Sequence, residues 1–350
     1  MRKMLYLLVA VALVWLPIAA MADSISPTSF SGSGPTGASY TVNKTVTVNA
    51  GTPTDLLVDV FFLADNTGSM GDIIGAVKTG ASSILTGTAG LGNVAWGVGA
   101  YKDNGDDFVY QLNTAITTTQ ANVQTGIDAW VASGGGDGPE AQLYALKRMA
   151  TDAATGWRPG SLRIGVWFGD YPGHDPSGPD GTTEAQATAA LTGAGIKVEA
   201  LSVGFSTLDS TGQATRITAA TGGNLFSGVQ ADDVVQAIID AINAAVESYT
   251  TVSLDTSEVP AGVGVSVTPG SYVGAFDRKI DRTFDFEVTF TDLEPGTHSF
   301  NIYATVDGGR VATESDRIVS GGGEVPEPAT MILIGSGLLG LAGLRKKFKK

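Results

Sequence analysis

The stretch that decides the fold is Val58-Asp59-Val60-Phe61-Phe62-Leu63-Ala64, which runs directly into Asp65-Asn66-Thr67-Gly68-Ser69-Met70. The apolar run is continuous, as is typical of a parallel strand covered on both faces. From Asp72 to Leu85 apolar residues recur at helical spacing, which predicts a helix there. One carboxylate and two hydroxyls therefore lie on a strand-to-helix loop, where open α/β sheets bind their ligands.

These three side chains, Asp65, Thr67 and Ser69, offer hard oxygen ligands. Such ligands suit Mg²⁺, Mn²⁺ or Ca²⁺ and disfavour zinc or copper. In the alternative interpretation, Thr67 and Ser69 cap the following helix and Asp65 complements its positive end. The residues by themselves leave both interpretations open.

The Asp-x-Thr-x-Ser pattern after such a strand resembles the metal-ion-dependent adhesion site of von Willebrand factor A domains, whose usual form is Asp-x-Ser-x-Ser. A second match is Asp137-Gly138-Pro139-Glu140, which resembles the integrin β-subunit version of this fold, where a glutamate is a direct metal ligand. A third is the predicted strand Leu162 to Phe168, followed by Gly169-Asp170; the family has an aspartate there that holds the metal through water.

The resemblance covers about residues 55 to 248 and implies a fold and a site. The implied fold is a Rossmann-like α/β domain of the von Willebrand A type. The implied site would hold Mg²⁺ or Mn²⁺ on Asp65, Thr67, Ser69, Glu140 and Asp170.

Integrin-like domains also have a synergistic metal site, which this sequence matches in part. Asp103, Asp137, the Pro139 carbonyl and Glu140 match its ligands, but Gly135 stands where the family has an asparagine. The resemblance therefore implies an accessory site that lacks one ligand. Ca²⁺ is the cation expected at an accessory site.

A second accessory site of the family lies adjacent to the adhesion metal. Asp72 matches one of its ligands and Asp170 could contribute, but Ile73 replaces a second aspartate. Because the loss of a carboxylate lowers the ligand charge, which is one of the main determinants of calcium affinity, tight binding is not expected there.

The expected partner is the acidic side chain of another protein. In the family, the open coordination position of the metal accepts an Asp or Glu from the partner. The chain carries a formal net charge of −14, without a compensating basic patch in the predicted folded region, so nucleic acid is not an expected partner. The only histidines, His174 and His298, form no recognisable nucleophile-base arrangement, so catalysis is not expected.

The N-terminus, residues 1–22, has the organisation of an export signal. Met1-Arg2-Lys3 precedes an apolar stretch from Met4 to Ala20, and Ala20-Met21-Ala22 is a small-x-small cleavage site. This pattern predicts a secretory signal peptide, with an uncleaved membrane anchor as the alternative.

The C-terminus, residues 325–350, begins with Val325-Pro326-Glu327-Pro328, continues as an apolar segment over residues 330–344 and ends in a basic cluster. An apolar segment closed by basic residues predicts a transmembrane segment with its positive end inside. The tail resembles the PEP-CTERM sorting signal of Gram-negative bacteria that make exopolysaccharide, in which an exosortase recognises the Pro-Glu-Pro, here Pro326, Glu327 and Pro328, and processes the tail. The resemblance implies export to the cell surface or extracellular matrix, with transient anchoring in the inner membrane through the tail alone.

Between residues 55 and 248, strand-like runs alternate with helical patterns, which predicts the α/β class with a mostly parallel sheet and helices on both faces. The further predicted strands are Val94–Tyr101, Phe108–Leu112, Leu162–Phe168, Lys197–Val203 and Asn224–Phe226. The further predicted helices are Thr119–Val131, Glu140–Ala150, Thr183–Thr192, Gly212–Ala220 and Asp232–Ser248.

Residues 249–320 change to a period of two, which predicts an antiparallel β-sandwich. Tyr40 to Val48, within the N-terminal β segment 23–54, has the same period. We therefore expect that this segment completes the sandwich and that the α/β domain is inserted into it. Residues 321–324 would form a short flexible linker to the tail.

The chain contains no cysteine, which excludes disulfides and thiol catalysis. The function expected from the sequence is that of an exported protein that binds an acidic group of a protein partner through a divalent cation. The alternative is a structural component of an exopolysaccharide matrix, whose metal site serves stability or assembly.

Overall fold

A computed structural model describes residues 22–321 of the 350-residue chain. The predicted signal peptide, the sorting signal, the predicted transmembrane segment and most of the predicted linker lie outside the described residues. Within residues 22–321, no helix combines the length and apolar character needed to cross a membrane.

The described chain forms three sheets and a set of helices. The strands are, in chain order, β1 (Ser24–Ser26), β2 (Ser29–Gly34), β3 (Ser39–Val48), β4 (Leu57–Asp65), β5 (Asn93–Tyr101), β6 (Tyr110–Thr117), β7 (Leu162–Gly169), β8 (Ile196–Val203), β9 (Leu225–Val229), β10 (Ser248–Asp255), β11 (Val263–Thr268), β12 (Ser271–Asp277), β13 (Arg282–Asp292), β14 (Gly296–Val306) and β15 (Gly309–Ser320). The α-helices are α1 (Gly71–Thr88), α2 (Gln120–Asp128), α3 (Gln142–Thr151), α4 (Glu184–Gly193), α5 (Gln213–Thr221) and α6 (Val234–Glu247).

The α/β domain is built on a six-stranded sheet in the order β6-β5-β4-β7-β8-β9. Every neighbouring pair is parallel except β5 and β6. Val60 and Phe62 of β4 join the core that contains apolar residues of α1 and α6, whereas Phe61 and Leu63 face the core that contains residues of α3, α4 and α5. Because helices cover both faces, β4 can be apolar throughout. The predicted α/β class is confirmed.

The edge strand β6 differs from its prediction. The sequence predicts a strand over Phe108–Leu112, but β6 spans Tyr110–Thr117 and runs antiparallel to β5. Asn113 and Thr114 interrupt the apolar pattern, and the predicted strand therefore ends before them. Every position of β6 is half-buried or exposed, and an edge strand with such exposure accommodates these polar residues.

The other two sheets form the sandwich, with strand orders β1-β3-β13-β11 and β12-β10-β14-β15-β2. β3 precedes the α/β domain in the chain, and β13 follows it. The two strands pair antiparallel over ten residue pairs, from Arg282 opposite Val48 to Thr291 opposite Ser39. Segments on both sides of the α/β domain thus share one sandwich. The pairing of β2 with β15 is parallel, so the second sheet is not wholly antiparallel.

Candidate metal-binding site

Four acidic side chains meet at one edge of the parallel sheet. Asp65 ends β4, Asp103 follows β5, Asp170 follows β7, and Glu140 lies just before α3. All four residues are buried, with exposed fractions of 0% for Asp65, 1% for Asp170, 2% for Glu140 and 4% for Asp103. Asp65, Asp103 and Asp170 converge because the carboxyl ends of parallel strands lie at the same edge of a sheet. Glu140 is held beside them by the hydrogen bond from its N–H to the Pro172 carbonyl.

Backbone hydrogen bonds hold the loops of this edge together. They run from Asn66 N to Tyr101 O (2.8 Å), from Gly68 N to Gly134 O (3.1 Å), from Glu140 N to Pro172 O (2.9 Å) and from Ala141 N to Lys102 O (3.2 Å). Each bond joins segments that are far apart in the sequence. The positions of the acidic side chains are therefore set by the sheet and its loops together.

Thr67 is tied to Asp65 rather than to the helix that follows. Its backbone N–H and its hydroxyl donate to Asp65 Oδ1 at 2.8 and 2.7 Å, and its Oγ1 lies 3.4 Å from the Oγ of Ser69. Neither the short 3-10 turn at Gly68–Met70 nor α1 has a side-chain hydrogen bond at its N-cap. The helix-capping alternative is therefore not supported, and the two hydroxyls are grouped beside the carboxylate.

Several carboxylate oxygens at this edge have no hydrogen-bond partner. Among residues 22–321 nothing donates to Asp65 Oδ2, Glu140 Oε2 or either oxygen of Asp170. The ion pairs of Lys and Arg in the same range involve other carboxylates. Burying a carboxylate without a cation or donor is costly, so these oxygens fit a bound cation. Oxygen-only ligands of this kind suit a hard dication.

The pKa values of the buried acids reflect the same lack of partners. Burial raises the pKa of Asp65 to about 7, against the lowering effect of the Thr67 hydrogen bonds and with further increase from Asp170 and Asp103. Burial, followed by repulsion from Asp65 and Asp103, raises the pKa of Glu140 to about 9. Burial also raises the pKa of Asp170. A dication would remove the mutual repulsion.

Two glycines shape the loop that faces Thr67. Gly134 and Gly135 have φ values of +80° and +82°, a region that side chains rarely adopt. A Cβ on Gly135 would lie 3.1 Å from the Cβ of Thr67 and 3.3 Å from Oε1 of Glu140. The glycine that replaces the family's asparagine therefore allows the loop to approach the site closely.

Two of the accessory residues, Asp103 and Asp137, form a second cluster with His174, which was not among the predicted metal ligands. Nε2 of His174 lies 3.2 Å from Asp103 Oδ1 and 3.2 Å from Asp137 Oδ1. These side chains could together hold a metal ion. An imidazole nitrogen is not a typical ligand of Ca²⁺, which prefers oxygen. The nearest signal in the sequence was the position of His174 four residues after Asp170.

The remaining predicted residues lie at the margin of the site. Ser69 is exposed at its mouth, Pro139 is half-buried beside Glu140, and Asp72 is exposed at the start of α1. Asp72 is thus in a different environment from the buried acids. The predicted adhesion set of Asp65, Thr67, Ser69, Glu140 and Asp170 remains a prediction as a set of metal ligands.

Residues 324–347 match the family model of the PEP-CTERM protein-sorting motif. The chain is therefore an exported protein with an exosortase sorting signal at its C-terminus. No curated protein matches the chain in sequence.

Solved structures with similar folds include a von Willebrand factor type A protein from Catenulispora acidiphila, with a TM-score of 0.46, 15% identity, and coverage of 86% of this chain and 74% of that chain. The pilus adhesin SpaC from Lactobacillus rhamnosus GG gives a TM-score of 0.42 and 15% identity, covering 81% of this chain and 45% of the adhesin. Proximal thread matrix protein 1 from the mussel byssus gives a TM-score of 0.44 and 15% identity, covering 58% of this chain and 50% of the matrix protein. At these identities the likeness concerns the fold alone.

Proposed function

We propose that this exported protein binds an acidic group of a protein partner through a divalent cation. The residues that would hold the cation, Mg²⁺ or Mn²⁺, are Asp65, Thr67, Ser69, Glu140 and Asp170, in an arrangement similar to that of integrin β-subunits. The observation that carries the proposal is the set of buried carboxylate oxygens without donors at the sheet edge. When bound, the ion would supply a strongly electrophilic centre with affinity for one more anionic oxygen.

Charge supports a role for the ion in partner binding. The chain has a formal net charge of −14, so an acidic partner would approach against the average field of the protein. Several acids contribute to this field at the site itself. A bound dication would reverse the sign of the charge locally, and partner binding would then depend on it.

The surroundings of the site favour a macromolecular partner over a small anion. Phe205 is 66% exposed, and its ring lies 5.9 Å from that of Tyr171, which directly follows Asp170. Thr207, two residues after Phe205, donates its N–H and hydroxyl to the Asp170 carbonyl at 3.0 and 2.7 Å. An exposed aromatic residue is thereby held beside the acidic edge. Aromatic residues are enriched at protein interfaces.

We propose binding rather than catalysis. His174 faces two carboxylates, Asp103 and Asp137, and not an activated serine. The oxygens at the adhesion site are those of carboxylates and hydroxyls that fit cation coordination. Anchoring or release of the protein would follow from exosortase processing of the tail.

Titration calorimetry of the purified protein with Mg²⁺, Mn²⁺ and Ca²⁺ tests the site. Asp65→Asn should abolish binding at the adhesion site, whereas Asp240→Asn, on the exposed face of α6, removes the same charge and should not affect it. Unaltered binding by Asp65→Asn would overturn the assignment of the site.

A second assay tests adhesion. A surface coated with poly-glutamate should retain the wild-type protein in Mg²⁺ and release it in EDTA, and a poly-glutamine surface should retain none. If the metal binds and raises the melting temperature but poly-glutamate retains nothing, the adhesion proposal fails. A structural role of the metal in a matrix protein would then be the better interpretation.

A further inference from the structure

A second group of buried charges lies inside the sandwich and shares no residue with the metal site. Lys44 of β3 and Glu314 of β15 are 0% exposed, and Asp316 of β15 is 2% exposed. We call these three residues the sandwich triad. Glu314 and Asp316 are two positions apart on one strand, so their side chains point to the same face, towards the opposite sheet that contains Lys44.

The amine of the triad contacts both carboxyl groups. Lys44 Nζ forms a short ion pair with Glu314 Oε1 and lies 3.5 Å from Asp316 Oδ2. No hydrogen-bond donor among residues 22–321 faces Glu314 Oε2 or Asp316 Oδ1. The amine is therefore the principal polar neighbour of two carboxyl groups that are shielded from water.

The surroundings of the triad are apolar. Phe286 is opposite Lys44 in the pairing of β13 with β3, and Phe300 and Ile302 are opposite Asp316 and Glu314 in the pairing of β14 with β15. The ring centroid of Phe290 lies 5.5 Å from Lys44 Nζ. In such an environment, an unbalanced charge is strongly disfavoured.

The charges of the triad do not balance when all three groups are ionised, because two carboxylates then face one ammonium. Burial raises the pKa of Glu314 to about 7; Lys44 opposes this rise and Asp316 adds to it. The triad is therefore neutral when its two carboxyl groups share one proton. Neutral forms include an ammonium with one carboxylate and one carboxylic acid, which are the groups from which an amide can form.

We propose that Lys44 and Asp316 become joined by an amide bond between their side chains and that Glu314 relays the protons. Glu314 takes a proton from the Lys44 ammonium, and the free amine attacks Cγ of the protonated Asp316 carboxyl group. The new N–C bond forms, the C–OH bond breaks, and the second proton of the amine leaves through Glu314 to the departing hydroxyl group. The products are an amide, one water molecule and protonated Glu314. No group is oxidised or reduced, and no co-reactant is needed.

The fold lowers the barrier to amide formation, which is slow between an amine and an acid in dilute solution. The sandwich holds the reacting groups together, and well-oriented intramolecular reactions reach effective molarities of roughly 10⁵–10⁸ M. The apolar surroundings keep out the water that would reverse the reaction. The assignment of roles follows from the contacts: the closer carboxylate, Glu314, takes the proton, and Asp316 accepts the nitrogen.

The bond would have a mechanical consequence for an exported protein without cysteine. Lys44 lies on β3, which precedes the α/β domain, and Asp316 lies on β15, which precedes the sorting tail. The amide would join the two sheets of the sandwich covalently. It would also link the segments that flank the α/β domain. A mechanical force applied between that domain and the tail could then not separate β3 from β15.

Peptide mapping of the purified full-length protein tests this inference. Trypsin cleavage of an unmodified chain releases residues 311–317, which contain both Glu314 and Asp316, and cleaves after Lys44. In the cross-linked protein, cleavage after Lys44 is blocked, and peptide 311–317 is found attached to Lys44 with the loss of one water. Fragmentation of this species shows which carboxyl group carries the nitrogen.

Three variants and one control separate the chemistry from folding. Lys44→Met and Asp316→Ala should give no cross-linked species, and Glu314→Gln should lower its yield at least tenfold. Ser315→Ala, at an exposed position between the two acids, should leave the yield unchanged. Circular dichroism identifies any variant that fails to fold. Free peptide 311–317 with complete cleavage after Lys44 in the folded wild-type protein would overturn the inference, and a cross-link on Glu314 would overturn the roles.

Discussion

Replacing Asp65 by asparagine should stabilise the metal-free protein while removing its metal site. Asn Oδ1 can still accept the hydrogen bonds that Thr67 donates to Asp65 Oδ1, at 2.8 and 2.7 Å. The amide nitrogen would replace Oδ2, which has no donor among the described residues. The substitution therefore removes a buried charge without removing the local hydrogen bonds.

The magnitude follows from the pKa of Asp65, which burial raises from 3.8 to about 7. Because the pKa in the folded protein is above that in the unfolded chain, the folded protein binds more protons between these values, and stability falls as the pH rises through that range. At about 1.4 kcal/mol per pKa unit, the ionised group lowers the free energy of unfolding by roughly 4 kcal/mol at pH 8. Relaxation of the site and water entry reduce this loss, so we expect Asp65→Asn to raise the free energy of unfolding by about 2–4 kcal/mol.

Urea unfolding in EDTA, followed by tryptophan fluorescence at pH 8 and pH 4, measures this difference. The gain should be present at pH 8 and nearly absent at pH 4, where the carboxyl group is protonated in the folded protein. A variant that is less stable than the wild type at pH 8, or a gain that does not depend on pH, would refute the reasoning. The first result would mean that Asp65 stabilises the metal-free fold, and the second that the gain does not come from the ionisation of Asp65.

Three further outcomes are expected. Mg²⁺ at about 100 times its Kd should raise the wild-type free energy of unfolding by about 2.7 kcal/mol in urea melts, and EDTA should reverse this. Gly135→Ala should lower the free energy of unfolding by about 1–3 kcal/mol and weaken metal binding in calorimetry, because φ is +82° and the new Cβ would press on Thr67. The control Gly75→Ala, on α1 with open space around the new Cβ, should leave the free energy of unfolding unchanged or raise it. Arg158→Ala should lower the free energy of unfolding by about 3–5 kcal/mol, measured by urea melts, because it leaves Asp59 buried without its ion pair. Arg158→Ala should leave the metal affinity unchanged, since Asp59 lies at the opposite end of β4 from the site. A loss of metal affinity in this variant would contradict that expectation.

Much of the α/β domain could be predicted because its signals are local. The run before Asp65 and the helical spacing after Asp72 are readable within a short window, and both elements are present as β4 and α1. The grouping of Asp65 and Asp170 follows from the rule that parallel strands end at one edge, whereas the place of Glu140 beside them was implied only by the family resemblance. His174 was not assigned to its cluster, because its contacts with Asp103 and Asp137 depend on how three loops fold.

The sandwich shows where local signals fail. Within the predicted sandwich, β15 lacks a clear apolar alternation, since Glu314 and Asp316 occupy inward positions. Charged residues in a sequence are normally assigned to solvent, because burying a charge is costly unless it is paired. The partner that makes their burial tolerable is Lys44, more than two hundred residues away in the chain.

The sequence by itself therefore determined the class of the inserted domain, the loops that carry its acids and the sorting signal at the tail. These features depend on periodicity and motifs within short segments. Only the tertiary structure decided that β3 pairs with β13, that carboxylate oxygens at the sheet edge lack donors among residues 22–321, and that a lysine and two acids meet inside the sandwich. The physical reason is that these features depend on contacts between distant segments, whose pairing is set by the packing of the whole chain.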